Sequence, residues 1–313
     1  MEQRNLGPSG LLVSVVGLGC NNFGGRIDLE ASRAVVHKAL DVGITLFDTA
    51  DIYGDKGGSE TCLGEILGAR RKDIVLATKF GMPMDAERGL TGASRRYIMS
   101  AVEASLRRLK TDWIDLYQLH KPDLRTPIDE TLRALDDLVK QGKVRYIGCS
   151  NLPAWQVTEA EWTSRVCNLN KFVSCQDEYS LVVRHHERDL FPAMQRYGLS
   201  LLPYFPLASG LLTGKYKRGT PPPAGTRLAA MPQRADQYLN EEHFALVDRL
   251  TAFAEARGHT LLELAFSWLA CRPFVASVIA GATKPEQVEQ NVAAASWALT
   301  PDEIAEIDML SAG

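Results

Sequence analysis

Residues 114–149 run IDLYQLHKPDLRTPIDETLRALDDLVKQGKVRYIGC, and the change of period within them decides the fold. Ile114–His120 is a short β-rich run. Asp129–Val139 places Leu132, Leu135 and Leu138 at helical spacing and stops at Gln141-Gly142, a helix-ending signal. Val144–Cys149 then returns to an apolar run. Strand, helix and strand within this length make one β-α-β unit, whose two strands are parallel. Upstream, Ser94–Leu109 repeats the helical spacing with Ile98, Val102, Leu106 and Leu109.

The unit recurs in both directions. Apolar runs at Val15–Gly19, Ile44–Asp48, Ile74–Lys79, Phe172–Gln176, Leu199–Tyr204 and Val275–Ile279 bring the strand count to eight. They are almost continuously apolar, as strands buried on both faces are. Along most of the chain their starts lie about 30 residues apart, the length of one β-α unit, and no Pro/Ser-rich linker interrupts them. The 313 residues therefore read as α/β, a (β/α)8 TIM barrel forming a single domain over residues 1–313. Asn5–Ser14, centred on Gly7-Pro8-Ser9-Gly10, reads as an N-terminal β-hairpin plugging the barrel bottom. Thr300–Leu310 reads as an extra C-terminal helix capped by Thr300. Residues 207–240 read as a long Pro- and Gly-rich loop, of a length that usually carries function.

Composition excludes several classes. With 45% hydrophobic and 23% charged residues and a net charge of −3, nothing calls for nucleic acid or an anionic membrane as partner. No apolar run is long enough to span a bilayer, and Met1–Asn5 lacks a signal peptide's apolar core. The six cysteines are scattered without a C-x-x-C pair, which points to reduced thiols in a cytoplasmic protein and to no metal site.

The informative residues are those that end the strands: Asp48, Lys79, His120, Ser150-Asn151, Gln176 and Tyr204. In a barrel these ends share one rim, where the active sites of this architecture lie. Asp48 and Lys79 would form a carboxylate–ammonium pair there, with Tyr53 in the following loop. A phenol ordinarily loses its proton near pH 10, and an adjacent ammonium is expected to lower that value. His120 would hold a substrate oxygen or modulate the phenol. The set reads as a general acid with its supporting groups, suited to protonating an oxygen as charge develops on it.

At these residues the sequence resembles the aldo-keto reductase superfamily, in its bacterial-reductase and potassium-channel β-subunit branch. The resemblance rests on residues 46–54 (LFDTADIYG) with Ser59-Glu60 and Leu63-Gly64, on Glu103–Leu109 running into Asp115–His120, and on Pro203–Tyr216. It implies an NADPH/NADP+-dependent reductase of small-molecule carbonyls, with NADH the poorer cofactor and Asp48, Tyr53, Lys79 and His120 as the catalytic set. Asp48 also counts among the implied cofactor contacts, with Ser150, Asn151 and Gln176 holding the nicotinamide amide and Tyr204 stacked on its ring. The pyrophosphate is implied to lie beneath the loop Phe205, Pro206, Leu207, Ala208 and Ser209, near Lys215. Cys20, Asn21 and Arg26 match further cofactor contacts, and Arg227 an arginine at the adenine end. Gly281, Thr283, Lys284, Gln287, Gln290 and Asn291 resemble the adenosine-phosphate motif, where free N–H groups at a helix start would meet a phosphate. No acidic residue in Gly281–Lys284 claims a ribose hydroxyl instead, which favours NADPH. Two positions depart from the pattern: Phe205 stands for Ser and Gln290 for Glu.

Gly17–Asn22 lacks the third glycine of a Rossmann fingerprint. His185-His186 reads as a solvated helix face rather than metal ligands, Cys149 as a buried structural thiol, and Tyr117 as packing. Arg107-Arg108-Leu109-Lys110 reads as a helix end whose cations suit the dipole. Asn22, Phe23, Phe80, Met82 and Met84, with residues beyond Leu207, are expected to line a substrate pocket of mixed apolar side chains. A non-catalytic, NADPH-binding regulatory subunit is the competing function. The channel subunits tend to carry Asn where this chain has His120, which favours the enzyme. Assembly into a homo-oligomer stays open.

Overall fold

The computed structural model describes residues 1–311, so the last two residues of the expected domain lie outside the described ones. Strands β1 (Gln3–Asn5) and β2 (Leu12–Ser14) pair antiparallel. Eight parallel strands follow: β3 (Val16–Gly19), β4 (Leu46–Asp48), β5 (Val75–Phe80), β6 (Ile114–Leu119), β7 (Val144–Ser150), β8 (Phe172–Gln176), β9 (Ser200–Leu201) and β10 (Val278–Gly281). Each pairs with the next, β10 pairs with β3, and bridges Leu201–Val275 and Tyr204–Ile279 close the ring. This is the expected (β/α)8 barrel.

Helices α1 (Leu29–Asp41), α2 (Tyr53–Leu67), α3 (Arg95–Leu109), α4 (Ile128–Lys140), α5 (Ala154–Cys167) and α6 (Leu190–Tyr197) follow β3 to β8 in turn. Between β9 and β10 lie α7 (Pro232–Tyr238), α8 (Glu241–Glu255) and α9 (Leu261–Ala270); α10 (Pro285–Ala294) and α11 (Pro301–Ser311) come last. The helices form where the spacing predicts them. On α3, Ser94 caps Tyr97 N–H, and Ile98, Val102, Leu106 and Leu109 are buried against the barrel. On α4 the buried stripe is Leu132, Leu135 and Leu138. Each such side chain contributes about 1.5–3 kcal/mol of burial. Thr300 and Glu303 cap α11 reciprocally, each side chain accepting from the other's backbone N–H.

The barrel interior is a separate small cluster of Leu46, Val75, Ala77, Leu116, Val173, Leu202, Ala276 and Ile279. Leu6 and Val13 of the hairpin complete it from below, and Gly7 N–H binds Ser200 Oγ at 2.7 Å. The hairpin is the expected plug.

Several strand ends move by one or two residues, and two assignments shift further. The seventh strand is regular only at Ser200–Leu201, because Pro203 has no N–H to offer the ladder; Tyr204 joins by single bridges to Glu178 and Ile279. The eighth is Val278–Gly281 rather than Val275–Ile279, and Val275 joins by a single bridge to Leu201. The expected loop at 207–240 contains a 3-10 run, Ala208–Thr213, and α7.

One interior position controls the rim above it. A Cβ on Gly148 would stand 2.8 Å from Ser174 Oγ and 3.3 Å from Gln118 Cγ. Gly148→Ala is therefore expected to destabilise the fold by about 1–3 kcal/mol, as overpacking does. Urea denaturation should show a lower midpoint at constant slope; an unchanged midpoint would show slack in the interior.

Candidate active site

Side chains alternate along a strand, so Val75, Ala77 and Lys79 of β5 point to one face, with Lys79 highest. Its ammonium is fully buried and donates to Asp48 Oδ2 at 2.7 Å, Thr49 O at 2.9 Å and Tyr53 Oη at 3.4 Å. The other Asp48 oxygen accepts from Gln176 Nε2 at 2.8 Å and Gln118 Nε2 at 3.3 Å. Burial works against the Lys79 charge, but Asp48 and Tyr53 outweigh it and hold the ammonium above its ordinary range. A buried ion pair is tolerated only when its remaining hydrogen-bonding capacity is met, and here it is. Gln118 was not singled out from the sequence, although the alternation of Leu116, Gln118 and His120 along one run carried the signal.

Tyr53 begins α2, and the next four residues take left-handed backbone, with φ of 67° at Gly54, 56° at Asp55, 64° at Lys56 and 117° at Gly57. A Cβ on Gly54 would meet Phe23 O at 2.4 Å, so only glycine fits the turn that presents Tyr53. Burial raises the Tyr53 phenol above its ordinary value, and Lys79 opposes this only in part. The expected lowering is thus corrected. The phenol has lost its water, while the ammonium is shared with Asp48.

His120 meets Tyr53 edge-on, ring centroids 5.6 Å apart. Burial, with Lys79 and Lys121 nearby, pushes its imidazolium down to about 2, so the ring is neutral, and its Nδ1 is buried without a partner. On the far side of the rim Asn151 donates to His120 O at 3.0 Å and Ser150 Oγ at 2.9 Å and accepts from Tyr204 Oη at 2.7 Å. Ser150 Oγ in turn donates to Gln176 O at 2.7 Å.

These groups open into a cavity of about 1220 Å³. It is lined by every expected catalytic and cofactor-contact residue except Lys79, which sits beneath it, and Ala208, which turns into the core. Arg26, Lys121, Lys215, Arg227 and Lys284 line it, and none makes an ion pair among the described residues; Asp48 is its one carboxylate. Burial and mutual repulsion hold Lys215 and Arg227 below their ordinary values. Cations kept apart from any counter-charge fit a polyanionic ligand such as a dinucleotide pyrophosphate. Sequence reading missed Thr260, Leu261 and Leu262 at the start of α9, which only folding brings to this cavity.

At the start of α10 the expected free N–H groups are partly satisfied. Thr283 N–H donates to Gln287 Oε1 at 2.8 Å, so a phosphate there must displace that amide. Phe205, at φ 52°, faces two guanidiniums of the long loop, Arg234 at 4.3 Å and Arg227 at 5.1 Å from its ring centre. Arg234 also pairs with Glu178 at 3.3 Å, Tyr238 donates to Glu178, and Arg26 donates to Gly225 O at 2.5 Å. Arg227 donates to Asn22 at 3.3 Å, and its charge is felt by Tyr53.

Other expectations are corrected. His185-His186 lies in a 3-10 turn, the rings 4.0 Å apart, rather than on a helix face. Arg108 does more than end a helix: it pairs at 2.7 Å with Glu60, which is fully buried. Phe23 and Phe80 are buried in the core, and neither they nor Met82 and Met84 line the cavity; Asn22 does. Cys149 is buried, 3.6 Å from Cys175, and Tyr117 packs on Phe80 at 4.7 Å between ring centres, both as expected. Among the described residues no helix is long and apolar enough to cross a membrane.

Comparison with known proteins agrees with this geometry. The model described as "Aldo/keto reductase family" matches residues 15–312. A probable voltage-gated potassium channel subunit beta of Arabidopsis thaliana is 37% identical, over 94% of this chain and 91% of its own length. A putative subunit of the same name from Schizosaccharomyces pombe is 37% identical, over 97% and 92%. An uncharacterized oxidoreductase of Bacillus subtilis is 36% identical, over 96% and 92%.

Asp177, next to Gln176, is buried; neither carboxylate oxygen makes a hydrogen bond of good geometry, and His186 Nε2 stands 4.0 Å from Oδ1. Burial pushes its carboxyl from 3.8 up to about 7, only partly offset by Asn151 N–H. The folded state then holds a proton that the unfolded chain has released, so this residue costs stability as pH rises from about 4 to 7. Asp177→Asn should therefore gain about 1 kcal/mol or more over the parent at pH 8 and much less at pH 5. Urea midpoints at the two pH values test this; a constant difference would mean that the ionised carboxylate finds a partner.

Proposed function

We propose that this chain, which belongs to the aldo/keto reductase family, reduces aldehydes or ketones with NADPH and that Tyr53 supplies the proton. The observation that carries the reading is the Lys79 ammonium, held at 2.7 Å by Asp48 and 3.4 Å from the Tyr53 phenol, below a groove lined with unpaired cations. Bound NADPH would supply hydride from its nicotinamide ring.

The protein's part is to hold and release a proton at Tyr53 Oη. Burial keeps the phenol protonated at neutral pH. As a carbonyl oxygen gains negative charge it becomes the stronger base and takes that proton. The phenolate left behind faces Lys79, whose own proton Asp48 secures. Neutral His120 can offer an N–H to the same oxygen but cannot act as an imidazolium acid near pH 7. Ser150, Asn151 and Gln176 would hold the carboxamide of the cofactor, Arg26, Lys215 and Arg227 its pyrophosphate, and Lys284 with Thr283 its 2′-phosphate.

The relatives named as channel subunits keep a second reading open, a cofactor-binding regulatory subunit. Turnover separates the two. Tyr53→Phe removes one oxygen and leaves the ring, so NADPH binding should survive while single-turnover reduction of 4-nitrobenzaldehyde falls about 10²–10⁴-fold. A variant that binds NADPH and reduces at the parent rate would sink the proton-donor role. A parent protein that binds NADPH yet turns over no carbonyl would favour the regulatory reading. Lys284→Ala should weaken NADPH far more than NADH in fluorescence titrations; equal losses would show that Lys284 does not read the phosphate.

A further inference from the structure

Phe23, Phe80, Met82 and Met84, the apolar side chains expected around the substrate, lie elsewhere, and the residue that follows His120 into the cavity wall is a cation. Lys121 follows His120 directly at the end of β6, is exposed, lines the same cavity, and has no carboxylate partner among the described residues. Its charge is close enough to help keep His120 neutral.

Its place on the rim separates it from the other cations. Arg26 follows β3, Lys215 and Arg227 follow β9, and Lys284 follows β10, all on the arc that carries the proposed cofactor contacts. The remaining arc of β4, β5 and β6 presents Asp48 with Tyr53, Lys79 and His120. There Lys79 is consumed by Asp48, so among the described residues Lys121 is the cation following these three strands that lines the cavity without an ion pair. Its backbone is fixed at both ends. His120 N–H binds Phe80 O at 2.9 Å, while Asp123 accepts from Ala93 N–H at 2.8 Å, Arg125 N–H at 3.0 Å and Thr126 Oγ1 at 2.8 Å. Nothing in the cavity opposes an anion, because its one carboxylate already has three donors.

We infer that Lys121 is a specificity-determining residue that favours carbonyl substrates carrying a carboxylate over neutral ones. This rests on the reductase reading above and narrows it. An ammonium on a flexible stem attracts a carboxylate as a point charge without demanding one geometry, so acids of differing length should share the advantage, and it should appear chiefly in KM.

The test compares kcat/KM for 4-carboxybenzaldehyde and 4-carbamoylbenzaldehyde, which match in size and differ in charge. The parent enzyme at low ionic strength should prefer the carboxylate about tenfold, equivalent to about 1.4 kcal/mol. Lys121→Met should abolish the preference, Lys121→Glu should reverse it, and about 0.5 M salt, which shortens the Debye length to about 4 Å, should erode it in the parent. Equal values for both aldehydes in the parent, or a preference that survives Lys121→Met, would overturn the inference and leave the reductase reading intact. Failure to consume NADPH with either aldehyde would instead overturn the reductase reading, and this inference with it.

Discussion

The rim is organised by one buried ion pair, Lys79 with Asp48. Taking two charges out of water costs several kcal/mol per ion even after relaxation, and the pair is tolerated only if every remaining donor and acceptor is met. That requirement reaches across four strand ends: Asp48 from β4, Lys79 from β5, Gln118 from β6 and Gln176 from β8. Shifting any of these strands by one residue would turn its rim residue to the other face and leave a buried charge short of a partner. The bare Cα of Gly148, the hairpin plug below and the left-handed turn after Tyr53 all serve a geometry that this pair imposes.

Two carboxylates outside the cavity are paired, whereas the cations that line the cavity are not. Glu60 and Asp115, both on the barrel's outer side, are matched by Arg108 and Arg71. Along the groove, Arg26, Lys215 and Arg227 repel one another without an acid between them, a local instability that a polyanionic ligand would relieve. Phe205 holds part of this arrangement in place. The hydroxyl that the family resemblance implies at this position would bind one phosphate oxygen. The ring instead faces two guanidiniums, contacts worth about 0.5–2 kcal/mol each, and so ties the long loop to the rim.

Most of the barrel was legible because parallel strands buried on both faces leave continuous apolar runs, and the helices between them leave a stripe of period near four. The strands that blurred were those with an interrupted ladder, around Pro203 and between Val275 and Val278. Asp48, Lys79 and His120 stood out because each ends an apolar run at a place the topology makes a rim, and Tyr53 because it follows in the loop after Asp48. Gln118 lay one alternation from His120 and was missed, since an amide within a strand looks like any other polar interruption.

The amino-acid order alone therefore determined the repeat, the closure into a ring, and which residue types meet at its upper end, because periodicity and strand-end position are local properties. What only the tertiary structure decided are the properties that depend on distance and on exclusion of water. The Tyr53 phenol is raised rather than lowered, because desolvation by the whole surrounding shell outweighs one neighbouring ammonium. Phe23 and Phe80 belong to the core, Thr260 to Leu262 reach the cavity from far along the chain, and Lys121 is left as the free charge beside His120. No spacing along a chain reports how much water a folded side chain has lost, or which distant segment took its place.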